Sequence, residues 1–195
     1  MQPERIQHLA RDERLARYAG FWWGLAEGVF FFIVPDVYIS FATLFSLRAG
    51  AVAWLFSIGG SAVAIIVIYL ITATFGLDYL SFLDSIPGIS APLIRRVGQE
   101  LAPEGLPYTP FLVLGGVPLK LYGAQAFSLG MSLGAVLLWT MFARIVRIAP
   151  TFAVVAAMRL LFGRRIDTRT VAWCTVLGIF WLTFYILYFA RMGAF

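Results

Sequence analysis

The stretch FWWGLAEGVFFFIVPDVYISFATLF, residues 21–45, decides the fold because it is strongly apolar and is interrupted by Pro35. Its first run, residues 21–34, has only 14 residues, whereas a helix that crosses a bilayer needs about 20. Proline breaks or kinks a helix. We therefore predict a re-entrant helical hairpin over residues 21–47 with Pro35 at its tip. The alternative is one kinked span over the same residues with Glu27 buried in it.

A second stretch, LPYTPFLVLGGVPLKLY at residues 106–122, is broken in a similar way and carries Lys120. Broken backbone at membrane depth is tolerated only where protein covers it or where it lines a wet cavity. We predict a second re-entrant hairpin over residues 107–126, with Pro118 at its tip. VPDVY at residues 34–38 and VPLKLY at residues 117–122 resemble each other. This similarity leaves two interpretations open, an inverted repeat or a coincidence.

The composition fixes the class of protein. Of the 195 residues, 61% are hydrophobic and 13% are charged, whereas about 25% of a soluble domain is charged. We predict an all-α integral membrane protein that folds as one helical bundle. The net charge of +5 suits membrane lipids as partners, and the dispersed arginines do not suit nucleic acid. No cluster of His, Cys and carboxylates has metal-ligand spacing, so we expect no metal and no other cofactor.

The order of polar and apolar segments predicts the organisation of the chain. Residues 1–19 are rich in charges and predict a cytoplasmic surface helix, and residues 20–195 form a single membrane domain. Beside the two hairpins we expect a span at 51–75, a polar segment at 76–106, a kinked span at 127–162 and a span at 171–190. The cationic N-terminus and the loop at 164–169 should be cytoplasmic by the positive-inside rule. The side of the C-terminus depends on whether Pro150 splits the third segment.

Charged side chains inside the apolar segments are the candidate functional residues. A charge in hydrocarbon costs about 2.5–3.5 kcal/mol on insertion scales, so such a residue indicates function by default. Arg144 and Arg147 are three apart and share one helix face. The same stripe contains Ser128, Ser132, Thr140 and Thr151. It predicts a polar cavity; the alternative is that both arginines extend to the cytoplasmic interface.

The residue types indicate what the cavity binds. The guanidinium fork suits phosphate and stays charged in a dry site, so Arg144, Arg147 and Lys120 are candidates for binding the phosphate of an anionic lipid. Burial raises the pKa of a carboxylate and a nearby arginine lowers it, so a carboxylate under both effects can bind and release a proton near neutral pH. Glu27 and Asp36 are therefore candidates for proton coupling. Two alternatives stay open. Glu27 is a structural ion-pair partner of Arg144 or Arg147, and Asp36 caps the second arm of its hairpin.

Several of these motifs occur together in one known family. Glu27, the aromatic run and Pro35–Asp36 resemble the E-x-F-P-x-P-x-E element of the DedA, or SNARE-associated VTT-domain, superfamily. GGSAVAIIVIYLI at residues 59–71 resembles its glycine-rich helix, and GGVPLK at 115–120 resembles its second-hairpin motif. The arginines of MFARIVRIAP, residues 141–150, resemble the pair that follows it. The resemblance covers residues 21–160 in matching order, with Asp36 where glutamate is usual.

The resemblance implies a transporter or flippase for a lipid phosphate, either undecaprenyl phosphate or a phospholipid, coupled to protons. It also implies a location in the bacterial inner membrane, where the positive-inside rule places the N-terminus in the cytoplasm. From the residues alone, a non-transporting membrane assembly or envelope-homeostasis protein with structural ion pairs is the alternative. We expect no enzyme and assign no catalytic residue, because no acid–base or nucleophile system has supporting context. A homo-oligomer is left open.

Overall fold

The computed structural model describes residues 3–74, 78–107 and 117–192, and within these ranges every regular element is helical. The α-helices are α1 (Pro3–Arg11), α2 (Glu13–Val29), α3 (Asp36–Phe45), α4 (Leu47–Tyr69), α5 (Tyr79–Asp84), α6 (Ala91–Glu104), α7 (Leu119–Ser128), α8 (Leu133–Thr168) and α9 (Thr170–Met192). A π-helical turn, Leu70–Thr74, extends α4.

Three of the described segments are long and apolar enough to cross a membrane: Leu47–Ala73, Leu133–Thr168 and Thr170–Ala190. Within the described residues this confirms the prediction of an all-helical protein and provides three candidate membrane spans. Helix α3 is apolar too, but it has 10 residues, about half the length that a span needs. The polar segment between the spans contains α5 and α6, whose apolar sides join a core with α4 and α7.

Helices α2 and α4 lie side by side in the same direction. A methyl group added at Gly20 would collide with the backbone of Ala53, and one added at Gly24 would collide with the backbone of Ser57. The contacting residue numbers increase together, so the helices are parallel. Glycines allow helix backbones to approach this closely. The chain therefore has to travel back between the two helices, and residues 30–45 make this return.

The start of α2 lies well before the apolar run that begins at residue 21. The Asp12 side chain accepts hydrogen bonds from the backbone N–H groups of Arg14, at 2.8 Å, and Leu15, at 3.2 Å. An aspartate in this position is a favourable N-cap. The charged segment expected as one surface helix over residues 1–19 is thus divided, and its second part is the first turns of α2.

Helix α8 differs from the expected span at both ends. Ser128 ends α7, and Gly130 has a φ of +76°, a left-handed backbone that glycine adopts readily. Ser132 then caps α8, so neither serine belongs to the expected polar stripe on that helix. Downstream, α8 continues through Pro150 to Thr168, and its non-helical backbone is at Phe162, with φ −119° and ψ 15°. A proline keeps its place in a helix when neighbouring groups satisfy the freed carbonyl.

One polar cluster ties the N-terminal helix to the end of α8. The Asp167 carboxylate accepts from Arg11 at 2.7 Å and from both terminal nitrogens of Arg159, at 2.8 and 3.1 Å. Bidentate arginine–carboxylate pairs have a defined geometry. The cluster therefore fixes α1 against the turn between α8 and α9.

Candidate functional site

A cavity of about 570 Å³ lies where the break between α2 and α3 faces α7, α8 and α9. One part of its lining is charged and consists of Glu27, Asp36, Lys120 and Arg147. Most of the remaining lining is apolar or aromatic and comes largely from α8 and α9, for example Val154, Met158, Trp173, Phe180 and Phe184. The cavity is therefore amphipathic, with a charged end and an extensive apolar wall.

Glu27, one of the lining residues, forms an ion pair with Arg144, which is not part of the lining. Arg144 Nη2 contacts Glu27 Oε2, and the side chains are 1% and 5% exposed. Arg144 Nε and Nη1 have no hydrogen-bond partner among the residues that the structure describes, although buried polar groups normally have one. The pair matches the structural alternative for Glu27, and the guanidinium keeps donors beyond those that Glu27 occupies.

Asp36 and Arg147 form a second, looser pair at the cavity. Arg147 Nη2 lies 3.5 Å from Asp36 Oδ2, at the long limit for a hydrogen bond. Asp36 is the first residue of α3, where a negative charge is favoured by the helix dipole. The N-cap position itself is Pro35, without a side-chain hydrogen bond, so Asp36 does not cap the helix. Since Arg147 is 16% exposed at the side chain, it can also reach a ligand.

Lys120 closes the broken end of α2. Its side chain is buried, and Nζ donates to the carbonyl oxygens of Glu27, at 2.9 Å, and Phe31, at 2.6 Å. The last carbonyls of a helix lack intrahelical partners and carry partial negative charge. A lysine ammonium has three N–H donors, so the two carbonyls leave one donor for another partner.

The two predicted tip prolines occupy equivalent places. Pro35 is the N-cap of α3 and Pro118 is the N-cap of α7. Val34 and Val117, which precede them, both line the cavity. Both Val-Pro elements thus lead into a helix that begins at the charged end. Residues 108–116 of the second predicted hairpin lie outside the described residues.

Helix α9 contributes side chains to the cavity that the sequence reading did not assign. Trp181 Nε1 donates to Ser40 Oγ at 2.9 Å, and Tyr185 accepts at its hydroxyl from the Val34 N–H at 2.7 Å. Trp181, Tyr185, Phe184 and Tyr188 all line the cavity. They recur at positions i, i+3, i+4 and i+7, a helical periodicity that could have indicated a common face.

The five charged candidates are therefore brought together: Glu27, Asp36, Lys120 and Arg147 line the cavity and Arg144 contacts Glu27. In the described part of the chain no group of three or more His, Cys, Asp or Glu residues could hold a metal ion. Comparisons of the chain with models of protein families, with curated proteins and with solved structures gave no match.

Proposed function

We propose that the protein is a membrane transporter or flippase that binds the phosphate head group of an anionic lipid in this cavity. The observation that carries the proposal is the divided lining, with Lys120 and Arg147 at one end and aromatic and aliphatic side chains elsewhere. A phosphate accepts charge-assisted hydrogen bonds from guanidinium and ammonium groups. An acyl or polyprenyl chain is stabilised by burial against apolar surface.

The size of the cavity fits a head group and the first part of its chains. Sites for small molecules measure about 300–1,000 Å³, and this one measures about 570 Å³. The remaining chain would lie along exposed apolar residues of α9 such as Ile179 and Leu182, which are 58% and 62% exposed. Undecaprenyl phosphate and phospholipids are both compatible with this arrangement.

We also propose that α2 and α3 form a re-entrant hairpin, and that α7 with the residues before it forms a second one related to the first as an inverted repeat. The parallel packing of α2 on α4 and the two Val-Pro elements support this topology. The proposed location is the bacterial inner membrane with the N-terminus in the cytoplasm. In a Cys174→Ser background, Arg14→Cys at the start of α2 and Leu47→Cys at the start of α4 should label from the same side of the membrane. Labelling from opposite sides would make residues 21–47 a through-span.

Among the two carboxylates, the pairing favours Asp36 for proton coupling. Its contact with Arg147 is 3.5 Å long, whereas the Glu27 carboxylate is in direct contact with the buried Arg144 guanidinium. Asp36→Asn should slow transport and flatten its dependence on pH, and Glu27→Gln should mainly reduce stability. An unchanged pH profile in Asp36→Asn would assign Asp36 a structural role.

The function is tested with purified full-length protein in liposomes that contain fluorescent anionic or neutral lipid. Arg147→Ala should reduce binding and movement of the anionic lipid by about tenfold or more, since a hydrogen bond to a charged group contributes about 1.5–3 kcal/mol. Arg147→Lys should lose most of the affinity because ammonium lacks the planar fork. Arg96→Ala, at an exposed position of α6, is the matched control. Equal handling of charged and neutral lipid by the wild-type protein would reject the proposal.

A non-transporting assembly protein is the second candidate, and the buried Glu27–Arg144 ion pair favours it. In that case the charged groups stabilise the fold and bind no lipid head group. One result distinguishes the two candidates. For an assembly protein, variants of Arg147 would lower the unfolding temperature, and lipid movement in liposomes with wild-type or variant protein would equal that in protein-free liposomes.

A further inference from the structure

The positive and negative charges at the charged end of the cavity do not sum to zero. Three cations, Lys120, Arg144 and Arg147, face two carboxylates, Glu27 and Asp36. The other polar side chains that line the cavity carry no charge; they are the hydroxyls of Ser40, Thr151, Tyr185 and Tyr188 and the indoles of Trp173 and Trp181. One positive charge is therefore left over among the described residues.

The contacts locate this unbalanced charge. Arg144 lies against Glu27, and Arg147 lies beside Asp36. Lys120 makes its described hydrogen bonds to two backbone carbonyls and to no carboxylate. The excess charge is thus on the side of the cavity where Lys120 Nζ and the loosely paired Arg147 lie, rather than behind Glu27.

A charge of this kind is costly in an apolar surrounding unless a counter-charge accompanies it. A ligand with one negative charge makes the site neutral. A ligand with two leaves one negative charge in excess, and an uncharged ligand leaves the positive charge as it was. A small free anion fits the cavity less well than an anionic lipid, because it would leave the apolar wall without a contact.

From this balance we propose that the cavity selects a lipid whose head group carries a single negative charge, a phosphodiester, over a phosphomonoester that carries two, and that Lys120 sets the preference. The inference rests on the proposed function, since it concerns the same cavity and the same lipid class. It distinguishes phosphodiester lipids from phosphomonoester lipids, two substrate classes that neither the family resemblance nor the residue types distinguish.

The experiment compares four lipids with identical acyl chains in competition for the full-length protein in detergent micelles. They are phosphatidylglycerol (a phosphodiester), phosphatidic acid (a phosphomonoester), phosphatidylcholine and diacylglycerol. The second pKa of a phosphomonoester is about 6 in phosphorylated side chains and is higher at a lipid surface, so the competition is run at a pH at which titration of phosphatidic acid in the same micelles shows it to be dianionic. Wild-type protein should bind phosphatidylglycerol about tenfold more tightly than phosphatidic acid, a difference of one order of magnitude in Kd.

Two variants change the balance in opposite directions. Lys120→Met removes the excess charge, so the preference for phosphatidylglycerol over diacylglycerol should be lost. Asp36→Asn adds a positive charge to the balance, so the preference should shift to phosphatidic acid. The second variant keeps the test decisive if Lys120→Met fails to fold when the carbonyls of Glu27 and Phe31 lose their donor. Arg96→Gln should leave the order of the lipids unchanged.

The outcomes separate the two proposals. If wild-type protein binds all four lipids alike, the proposed function fails. If both anionic lipids outcompete the others but phosphatidic acid binds as tightly as phosphatidylglycerol, the function stands and the charge rule is overturned. The rule is also overturned if Asp36→Asn keeps the wild-type order. Displacement of phosphatidylglycerol by the same concentration of its soluble, chain-free head group would overturn the assignment to a lipid.

Discussion

Replacing Arg144 with methionine should destabilise the protein more than any exposed charge substitution. The guanidinium is 1% exposed and its partner Glu27 is 5% exposed at the side chain. Methionine retains much of the arginine stem, so the fold loses the charge with little loss of packed volume. Glu27 then remains as a buried carboxylate without its arginine.

The expected magnitude follows from the burial of the pair. Removing one partner of a buried ion pair costs about 3–5 kcal/mol, whereas replacing both with neutral groups is often neutral. The double variant Arg144→Met/Glu27→Gln should therefore recover most of the loss. The interaction energy from the double-mutant cycle should be several kcal/mol, beyond the roughly 0.3–0.5 kcal/mol by which independent sites deviate from additivity.

The assay is reversible unfolding in mixed micelles by titration with SDS, followed by tryptophan fluorescence. The Arg96–Glu100 pair on α6 is the matched control, since its nitrogen–oxygen distance is 2.8 Å and its side chains are 72% and 48% exposed. A helical i,i+4 pair of this kind contributes about 0.3–0.5 kcal/mol. A loss below about 1 kcal/mol in Arg144→Met, or a double variant as unstable as the sum of the singles, would refute the buried-pair reasoning.

Three further outcomes are expected. Gly60→Ala should cost about 1–3 kcal/mol in free energy of unfolding through a collision with the Phe21 carbonyl, whereas Gly59→Ala, which meets open space, should be neutral or slightly stabilising; equal effects would argue against the α2–α4 contact. Tyr185→Phe should speed hydrogen exchange at the Val34 amide, and unchanged exchange would mean that α9 does not hold this segment. Asp167→Asn should raise exchange in α1 without altering lipid binding, and protection equal to wild type would show that α1 is held by other contacts.

The breaks and the charged residues were predictable because both are local properties of the chain. A proline in an apolar run indicates a helix break wherever the helix lies in the fold. A charged side chain in such a run requires a counter-charge or a polar partner nearby. The partners were not predictable. Whether Glu27 meets Arg144 or Arg147 depends on the rotation of α8 about its axis, and their spacing of three residues places both on one face without fixing that rotation.

The close contact of α2 with α4 had a signal that the sequence reading did not use. Gly20, Gly24 and Gly28 recur every four residues, the spacing by which small residues form a contact stripe on a helix. The Asp12 cap was likewise readable, but the apolar run beginning at residue 21 suggested a later start.

The hydrogen bonds from Lys120 have a consequence for biosynthesis. Its two acceptors, Glu27 and Phe31, precede it by 93 and 89 residues. At translation rates of about 5–20 residues per second, the ribosome adds the intervening residues in roughly 5–20 s. During that delay the carbonyl groups of Glu27 and Phe31 lack the hydrogen bonds from Lys120, and carbonyl groups without hydrogen-bond donors are unfavourable in hydrocarbon. If α2 and α3 enter the bilayer as the proposed re-entrant hairpin, this segment should wait at the bilayer surface or within the insertion machinery and reach its final depth only after α7 has been synthesised.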